Sequence, residues 1–299
     1  MKIAVAGHVT YDLIYHGRLA KGRLLGGTAA YSSMLFARLF SRPLLTSKVG
    51  RDFEERDLAL LAESAELNIK KSEGPTTKFE IRYVGKGRRL KLLSRCDPLD
   101  EEDLERMRGA DLVLLGPVAG EIGPALLKEG LAEGFVAASI QGFLRRFGDD
   151  GRVSLAPSQE ALASLSRLSM LCGSSVEVMT LARGRDLRGA LKKLVSLGPS
   201  YVAATMGGRG SRLAMRNTLL SAPCYPVSTI VDPTGAGDVY AGVLALLLSR
   251  GEDAAWAMSM ATAAASFTVE SLGPAYVASL SEVEERASFI AERITSRPL

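Results

Sequence analysis

Two histidines, three cysteines, one tryptophan, two asparagines and two glutamines are all that 299 residues contain, and each shortage excludes something. Cys96, Cys172 and Cys224 are odd in number and scattered, which excludes a disulfide framework. No CxxC pair exists, and His8 and His16 form no cluster, so no zinc-type site is expected. Long apolar runs are missing too. Val239 to Leu248 is too short for a membrane span, and Ala254 to Val269 is diluted by Ser, Thr and Ala. The N-terminus reads as a strand entering a turn and has no signal-peptide pattern, so a cytoplasmic location is expected. No G-x-x-x-x-G-K-[ST] loop occurs, which excludes a Walker-type hydrolase. Scarce amides, with arginine making up 26 of 37 basic residues, match the habits of proteins from hot environments, and a thermophilic source is expected.

The chain is 47% hydrophobic and 23% charged, enough to bury a large core. Its net charge of +4 is spread along the sequence. A nucleic-acid partner would need a massed basic face with interleaved aromatics. The best local candidate, Lys86, Arg88, Arg89, Lys91 and Arg95, reads better as a hairpin tip or a phosphate-facing loop. Neither nucleic acid nor membrane is expected as a partner; a small anionic substrate fits.

Apolar runs of strand length alternate with helical patterns. Ile3 to Ala6, Leu112 to Leu115, Phe135 to Ile140, Leu168 to Cys172 and Tyr201 to Thr205 suit strands buried on both faces. Thr28 to Phe40, Asp57 to Leu67, Pro124 to Ala132, Glu160 to Arg167 and Leu187 to Leu197 carry apolar residues at three and four spacing and are predicted crossover helices. The alternation predicts an α/β fold with a mainly parallel, doubly covered sheet and ligands at the carboxyl ends of its strands. Segments 13–25 and 77–95 break the pattern. Each reads as two short strands around a glycine turn, and together they are predicted to form a small β lid. The rest, 1–12, 26–76 and 96–299, is then a single α/β domain, and the lid is where a homodimer contact is expected. Beyond Asp238 the chain turns helical: Val239 to Ser249, Asp253 to Leu272, and a last helix opened by a capping box at Ser281-Glu282-Val283-Glu284.

The most informative stretch is Ile230-Val231-Asp232-Pro233-Thr234-Gly235-Ala236-Gly237-Asp238, just before an apolar helix. Gly235, Ala236 and Gly237 leave backbone N–H groups uncovered at a helix N-terminus, where the macrodipole also favours a phosphate. Asp238 sits in the first turn, where the same dipole should keep it ionised and able to take a hydroxyl proton during phosphoryl transfer. The plainer reading is a glycine turn with a capping aspartate. A dinucleotide-dependent oxidoreductase is a rival, but the third glycine and the downstream acid of its fingerprint are missing.

DPTGAGDVYAG resembles the C-terminal signature of ribokinase-like sugar and nucleoside kinases, DTxGAGDxFxG, and further motifs fall in order around it. Gly7-His8-Val9-Thr10-Tyr11-Asp12 is similar to the family's G-x-x-x-x-D, Gly26-Gly27-Thr28 to its glycine pair, and Val49-Gly50-Arg51-Asp52-Phe53 to its VGxDxF. Thr205-Met206-Gly207-Gly208-Arg209-Gly210 resembles its T-x-G-x-x-G loop, and Ala261 to Ala265 lies where the family packs adenine. The resemblance covers essentially the whole chain. It implies a ribokinase-like fold and a kinase using ATP and Mg2+. Asp238, Gly235, Ala236 and Gly237 would carry catalysis, and Asp12, Gly26, Gly27 and Asp238 would hold the substrate. The nucleotide would rest on Thr205, Gly207, Gly208, Gly210, Thr234, Gly235 and Gly237.

Two departures matter. The family's Asn-x-x-Glu is Ser174-Ser175-Val176-Glu177 here, which keeps only Glu177 for the metal. Its Asp-x-Asn then Arg is Ser139-Ile140-Gln141 with Arg145 following, which implies a different substrate contact. With GHVTYD, LGGTAAYSS, RRLKLLSRCDP, GPVAGEI and IQGFLRRF, the pattern is similar to myo-inositol kinases of this family, archaeal ones included. The Gln141 amide supplies both a donor and an acceptor for an uncharged polyol ring, and could equally be a satisfied strand-end residue. Another sugar or nucleoside kinase, or a non-catalytic sugar-binding regulator on the same fold, stays open. His8 and His16 have no carboxylate partner in sequence and are expected in the pocket wall or on the lid; Cys96, Cys172 and Trp256 are expected in the core.

Overall fold

The strands form where the apolar runs lie, and their burial shows why. β1 (Ile3–Ala6) is buried at every residue: Ile3 and Val5 enter one apolar cluster, while Ala4 and Ala6 enter another on the opposite face. That is the signature of a doubly covered strand. The computed structural model describes residues 1–17, 19–85, 87–127, 134–274 and 278–299. After β1 come β2 (Thr10–His16), β3 (Leu19–Gly26), β4 (Leu44–Val49), β5 (Glu66–Lys71), β6 (Lys78–Val84), β7 (Gly87–Ser94), β8 (Leu112–Leu115) and β9 (Phe135–Ser139). The short pair β10 (Arg145–Phe147) and β11 (Val153–Leu155) follows, then β12 (Met170–Ser174), β13 (Tyr201–Thr205), β14 (Ser211–Met215), β15 (Thr218–Ala222) and β16 (Thr295–Pro298).

Ten strands make the central sheet, in the order β16-β15-β14-β13-β12-β9-β8-β1-β4-β5. From β5 to β13 every neighbouring pair is parallel; β13 to β16 are joined antiparallel. One face carries helices Gly27–Leu39, Ala236–Ser249, Ala254–Val269 and Leu280–Ala291, and the other carries Ser175–Ala182 and Leu187–Ser196. Of the six remaining strands, β10 and β11 pair with each other and four form a separate sheet, β3-β2-β6-β7, which reaches the glycine motif through Tyr83 and Thr234. Beneath it Ile14, Phe79 and Ile81 pack with Val118 and Ala119. At the base of this sheet the Val49 to Phe53 motif is tied to the incoming strand: Thr76 N–H donates to Asp52 at 2.7 Å, and Tyr11 stacks on Phe53. Among the described residues no helix is long and apolar enough to cross a membrane.

Several expected elements change. The helix expected over Asp57 to Leu67 runs Glu55–Ser64, and Glu66 enters β5, because pairing with β4 in register Leu44↔Glu66 outweighs helical spacing at its end. Glu160 to Arg167 divides into a helix at Gln159–Ala163 and a single 3-10 turn at Leu165–Arg167. Of Pro124 to Ala132, Pro124–Leu126 is one 3-10 turn; 128–133 lie outside the described residues, as does Lys86 of the basic segment. The last capping box is Ser279 with Glu282, two residues ahead of the expected Ser281, since Ser279 accepts from Glu282 N–H and Glu282 accepts in return from Ser279 N–H. Trp256 is half-buried at the core's edge, while Cys96 and Cys172 are buried.

Candidate functional site

The carboxyl ends of β9, β12 and β13 and the start of the Ala236–Ser249 helix enclose a cavity of about 410 Å³. Gly235 has φ +83°, and a side chain on it would run into the Tyr31 ring, so only glycine makes this turn into the helix. Gly237 faces open space, which leaves the backbone bare to the cavity. Asp232 holds the approach to the turn by accepting from Thr234 N–H and the Thr234 hydroxyl.

Asp238 follows in the first helical turn and is held from two sides. Thr28 Oγ1 donates to its Oδ1 at 2.5 Å, and Gln141 Nε2 donates to the same oxygen at 3.1 Å. Gln141 is itself fixed: its Oε1 accepts from Arg145 Nη2 at 2.5 Å, while Arg145 Nη1 donates to Val118 O at 2.7 Å. The buried Arg145 guanidinium acts electrostatically on both Asp238 and Asp12. The expectation that the helix dipole keeps Asp238 readily ionised needs correction. Burial is the largest influence and raises its pKa above the ordinary carboxylate value, against the lowering effect of the Thr28 bond, Arg145 and Arg88. Burial likewise pushes Asp12 up to about 6, opposed by the Thr10 hydroxyl bond and Arg145.

The cavity gathers most of the residues singled out in the sequence. Gln141, Glu177, Thr205, Gly207, Gly208, Gly210, Gly235, Ala236, Gly237 and Asp238 line it. Asp12, Gly26, Gly27 and Thr234 do not. Asp12 is folded against Gly26, where any side chain would strike its carboxyl, and Gly27 packs on His8 O. Thr234 turns its hydroxyl to Asp232 and to Tyr83 OH, the latter at 2.8 Å. His8 is structural: its ring nitrogens meet the Thr77 hydroxyl at 2.8 Å and Asp97 O at 3.0 Å. Three contributors went unassigned in the sequence. Thr28 directly follows the glycine pair, Arg145 lies one helical turn after Gln141, and Arg88 of β7 lines the cavity from the smaller sheet. The (i, i+4) spacing of Gln141 and Arg145 was the available signal.

A magnesium ion was expected beside Glu177. Glu177 Oε2 accepts from Ser174 N–H and the Ser174 hydroxyl, at 2.7 and 2.8 Å, as a capping box, and the carboxylate faces the cavity. Among the described residues no group of three acidic, His or Cys side chains could hold a metal by itself. One carboxylate suits magnesium that is carried in by phosphates and keeps its waters, so the residues fit that use and no other.

A doubly covered sheet, a second small sheet, and a buried carboxylate behind a bare glycine turn define a ribokinase-like kinase. The fold superposes with a TM-score of 0.78 on a pyrophosphate-dependent kinase in the ribokinase family complexed with a pyrophosphate analog and myo-inositol, at 23% identity, covering 95% of this chain and 99% of that one. Arabidopsis thaliana ribokinase complexed with ribose and ATP gives 0.75 at 20% identity, covering 96% and 99%. Residues 157–280 match the pfkB family of carbohydrate kinases, and the chain is 30% identical over 284 residues to inositol 3-kinase of Arabidopsis thaliana, covering 91% of this chain and 75% of that protein. The chain belongs to the pfkB family of carbohydrate kinases and is a phosphotransferase with an alcohol as acceptor.

Proposed function

We propose that this protein transfers the terminal phosphoryl group of ATP to a hydroxyl of myo-inositol. The observation that carries this reading is the acceptor end of the cavity, where Asp238 is held by Thr28 and Gln141 and is close enough to Asp12 for its charge to act there. An uncharged ring bearing a hydroxyl on each carbon needs such a crowd of donors and acceptors, and it leaves them unpaired when a hydroxyl is missing. The likeness to a plant inositol 3-kinase supports the same choice.

In this reading the acceptor hydroxyl lies against Asp238, which takes its proton as the oxygen attacks phosphorus. Asp12, just outside the lining and held by the Thr10 hydroxyl, would have to turn its carboxyl into the cavity to accept from neighbouring hydroxyls. The backbone N–H groups of Gly235 to Gly237 face the transferring group, whose negative charge they stabilise at the helix N-terminus. Gln141 and Thr28 point donors at Asp238 Oδ1 and so aim its other oxygen. Magnesium would be held through Glu177 and the donor's phosphates and would neutralise their charge.

Nucleotide, as opposed to pyrophosphate, is favoured by the cavity's other end. Beyond the glycines it continues past Tyr225, Val227, Ile230, Ala265 and Val269, apolar surface that a diphosphate could not use. The test is a side-by-side assay of myo-inositol, ribose, fructose and nucleosides, each with ATP and with pyrophosphate in the presence of Mg2+. The expected result is the highest kcat/KM for myo-inositol with ATP. A better nucleoside or ketohexose substrate overturns the acceptor assignment, and faster turnover with pyrophosphate overturns the donor assignment.

A further inference from the structure

The basic segment in β7 has one residue that faces unlike the others. Strand side chains alternate between faces, and the β6–β7 register sets Phe79 opposite Leu92, Ile81 opposite Leu90 and Tyr83 opposite Arg88. The first two pairs join the apolar cluster under this sheet, so Arg88 continues an inward-facing row whose other members are leucines. Arg89 and Lys91, one step out of phase, belong to the outer face. Tyr83 shows where this corner of the sheet points: its hydroxyl meets the Thr234 hydroxyl at 2.8 Å, immediately before the Gly235 to Gly237 turn. Arg88, its cross-strand partner, lines the cavity together with Gly235, Gly237 and Asp238. Among the described residues no carboxylate lies within ion-pair distance of Arg88. Arg88 is exposed at the cavity wall beside Tyr83, is ion-paired to no described carboxylate, and its charge acts on Asp238 and Asp12; a guanidinium so placed is a fork of donors suited to an anion.

We propose that Arg88 is a catalytic residue that binds the phosphoryl group in transit, from the side opposite the glycine turn. The inference rests on the phosphotransfer reading above. In that step the acceptor oxygen forms a bond to phosphorus as its proton passes to Asp238. The bond from phosphorus to the bridging oxygen breaks, and its electron pair leaves on the diphosphate. Negative charge on the three equatorial oxygens is what Arg88 would meet with its N–H donors. Because Arg88 comes from the smaller sheet, the helix N-terminus and the guanidinium reach the same group from two independent parts of the fold.

The test compares wild type with R88M, R88K and R88A. For R88M, kcat should fall about a hundredfold or more, with acceptor and donor KM changed by less than about threefold and the melting temperature unaltered. R88K should recover part of the loss, and free guanidinium should partly rescue R88A. A second readout needs no turnover: ADP with aluminium fluoride, a mimic of the transferring group, should bind R88M at least about tenfold more weakly than wild type, whereas ADP alone binds both equally. Unchanged kcat in R88M overturns the proposal, as does a loss confined to acceptor KM, which would assign Arg88 to a phosphate on the acceptor. Equal binding of the mimic by both proteins also overturns it. Failure of the wild type to phosphorylate any alcohol overturns the function proposed above instead, and the mimic still decides the role of Arg88.

Discussion

The two ends of the cavity are built on different terms. At the acceptor end, side chains do the holding: Asp238, Thr28, Gln141 and Arg145 form one bonded chain, with Asp12 beside it. At the donor end the walls are largely backbone and small apolar groups, and two of the polar side chains, Thr262 and Ser266, are engaged within the protein. Thr262 Oγ1 donates to Met258 O, and Ser266 Oγ donates to Ala263 O while accepting from Arg286. Gly207 and Gly208 face open space. A site read by side chains discriminates, because a poor ligand leaves buried polar groups unmatched; a site read by backbone and shape recognises phosphate and tolerates variation around it.

The largest effect should come from the acceptor end. Asp238→Asn should lower kcat by about two to four powers of ten while nucleotide affinity holds, the range for losing a positioned acid/base group. Near-full turnover in that variant would remove Asp238 from the chemistry. Since burial raises the Asp238 pKa, the acidic limb of the kcat/KM profile should lie above the usual carboxylate range, with activity falling as pH drops through it. A limb at the ordinary carboxylate value would contradict this.

Gly237→Val tests the junction of the two ends. A Cβ added at Gly237 meets no protein atom within 4 Å, and it would project into the cavity where the phosphoryl group is proposed to approach. The expected loss in kcat is about 10²-fold or more, the scale of a lost oxyanion donor, with a smaller change in acceptor KM. Kinetics that change only acceptor KM would break the placement.

Asp12 gives a stability test of the same contrast. Its pKa in the fold is about 6, raised by burial above its unfolded value. The protonated form is therefore favoured by folding. Its contribution is fully present below about pH 4 and is lost as pH rises through about 6, amounting to about 3 kcal/mol at neutral pH. Asp12→Asn should then raise the melting temperature at pH 8 more than at pH 4 while weakening polyol binding. Equal differences at the two pH values would show that Asp12 titrates normally.

Smaller effects sharpen the contrast. Gln141→Ala should cost about 10- to 100-fold in kcat/KM for myo-inositol, the worth of about 1 to 3 kcal/mol of lost pairing, and less for ribose. A uniform loss across acceptors would make Gln141 solely a support for Asp238. Exchanging ATP for GTP should change kcat/KM by less than about tenfold, since Thr262 and Ser266, beside the apolar wall of Ala265 and Val269, are already engaged within the protein. A discrimination of about a thousandfold would show that backbone groups read the base after all.

Much of this was legible in the sequence because it depends on local chemistry. Gly235, Gly237 and Asp238 declare a helix N-terminus with a bare turn, and Ile3 to Ala6 or Leu112 to Leu115 declare buried strands by composition alone. The edge strand at Glu66–Lys71 was not legible, because its half-exposed residues gain their pairing only from β4.

Sequence by itself determined the alternation of strand and helix, the glycine turn and the identity of the charged residues, since all follow from spacing and from what glycine and aspartate can do in a chain. Tertiary structure alone decided how those charges behave. It buried Asp12 and Asp238 near Arg145, so desolvation, the largest influence on each, raised both carboxyl pKa values, at Asp238 in spite of its place in a first helical turn. It also turned Gln141 toward Asp238 and set Arg88 facing inward opposite Tyr83. Each of these outcomes depends on contacts between segments tens to hundreds of residues apart or on the register of two paired strands, and the energy of a buried charge depends on everything packed around it.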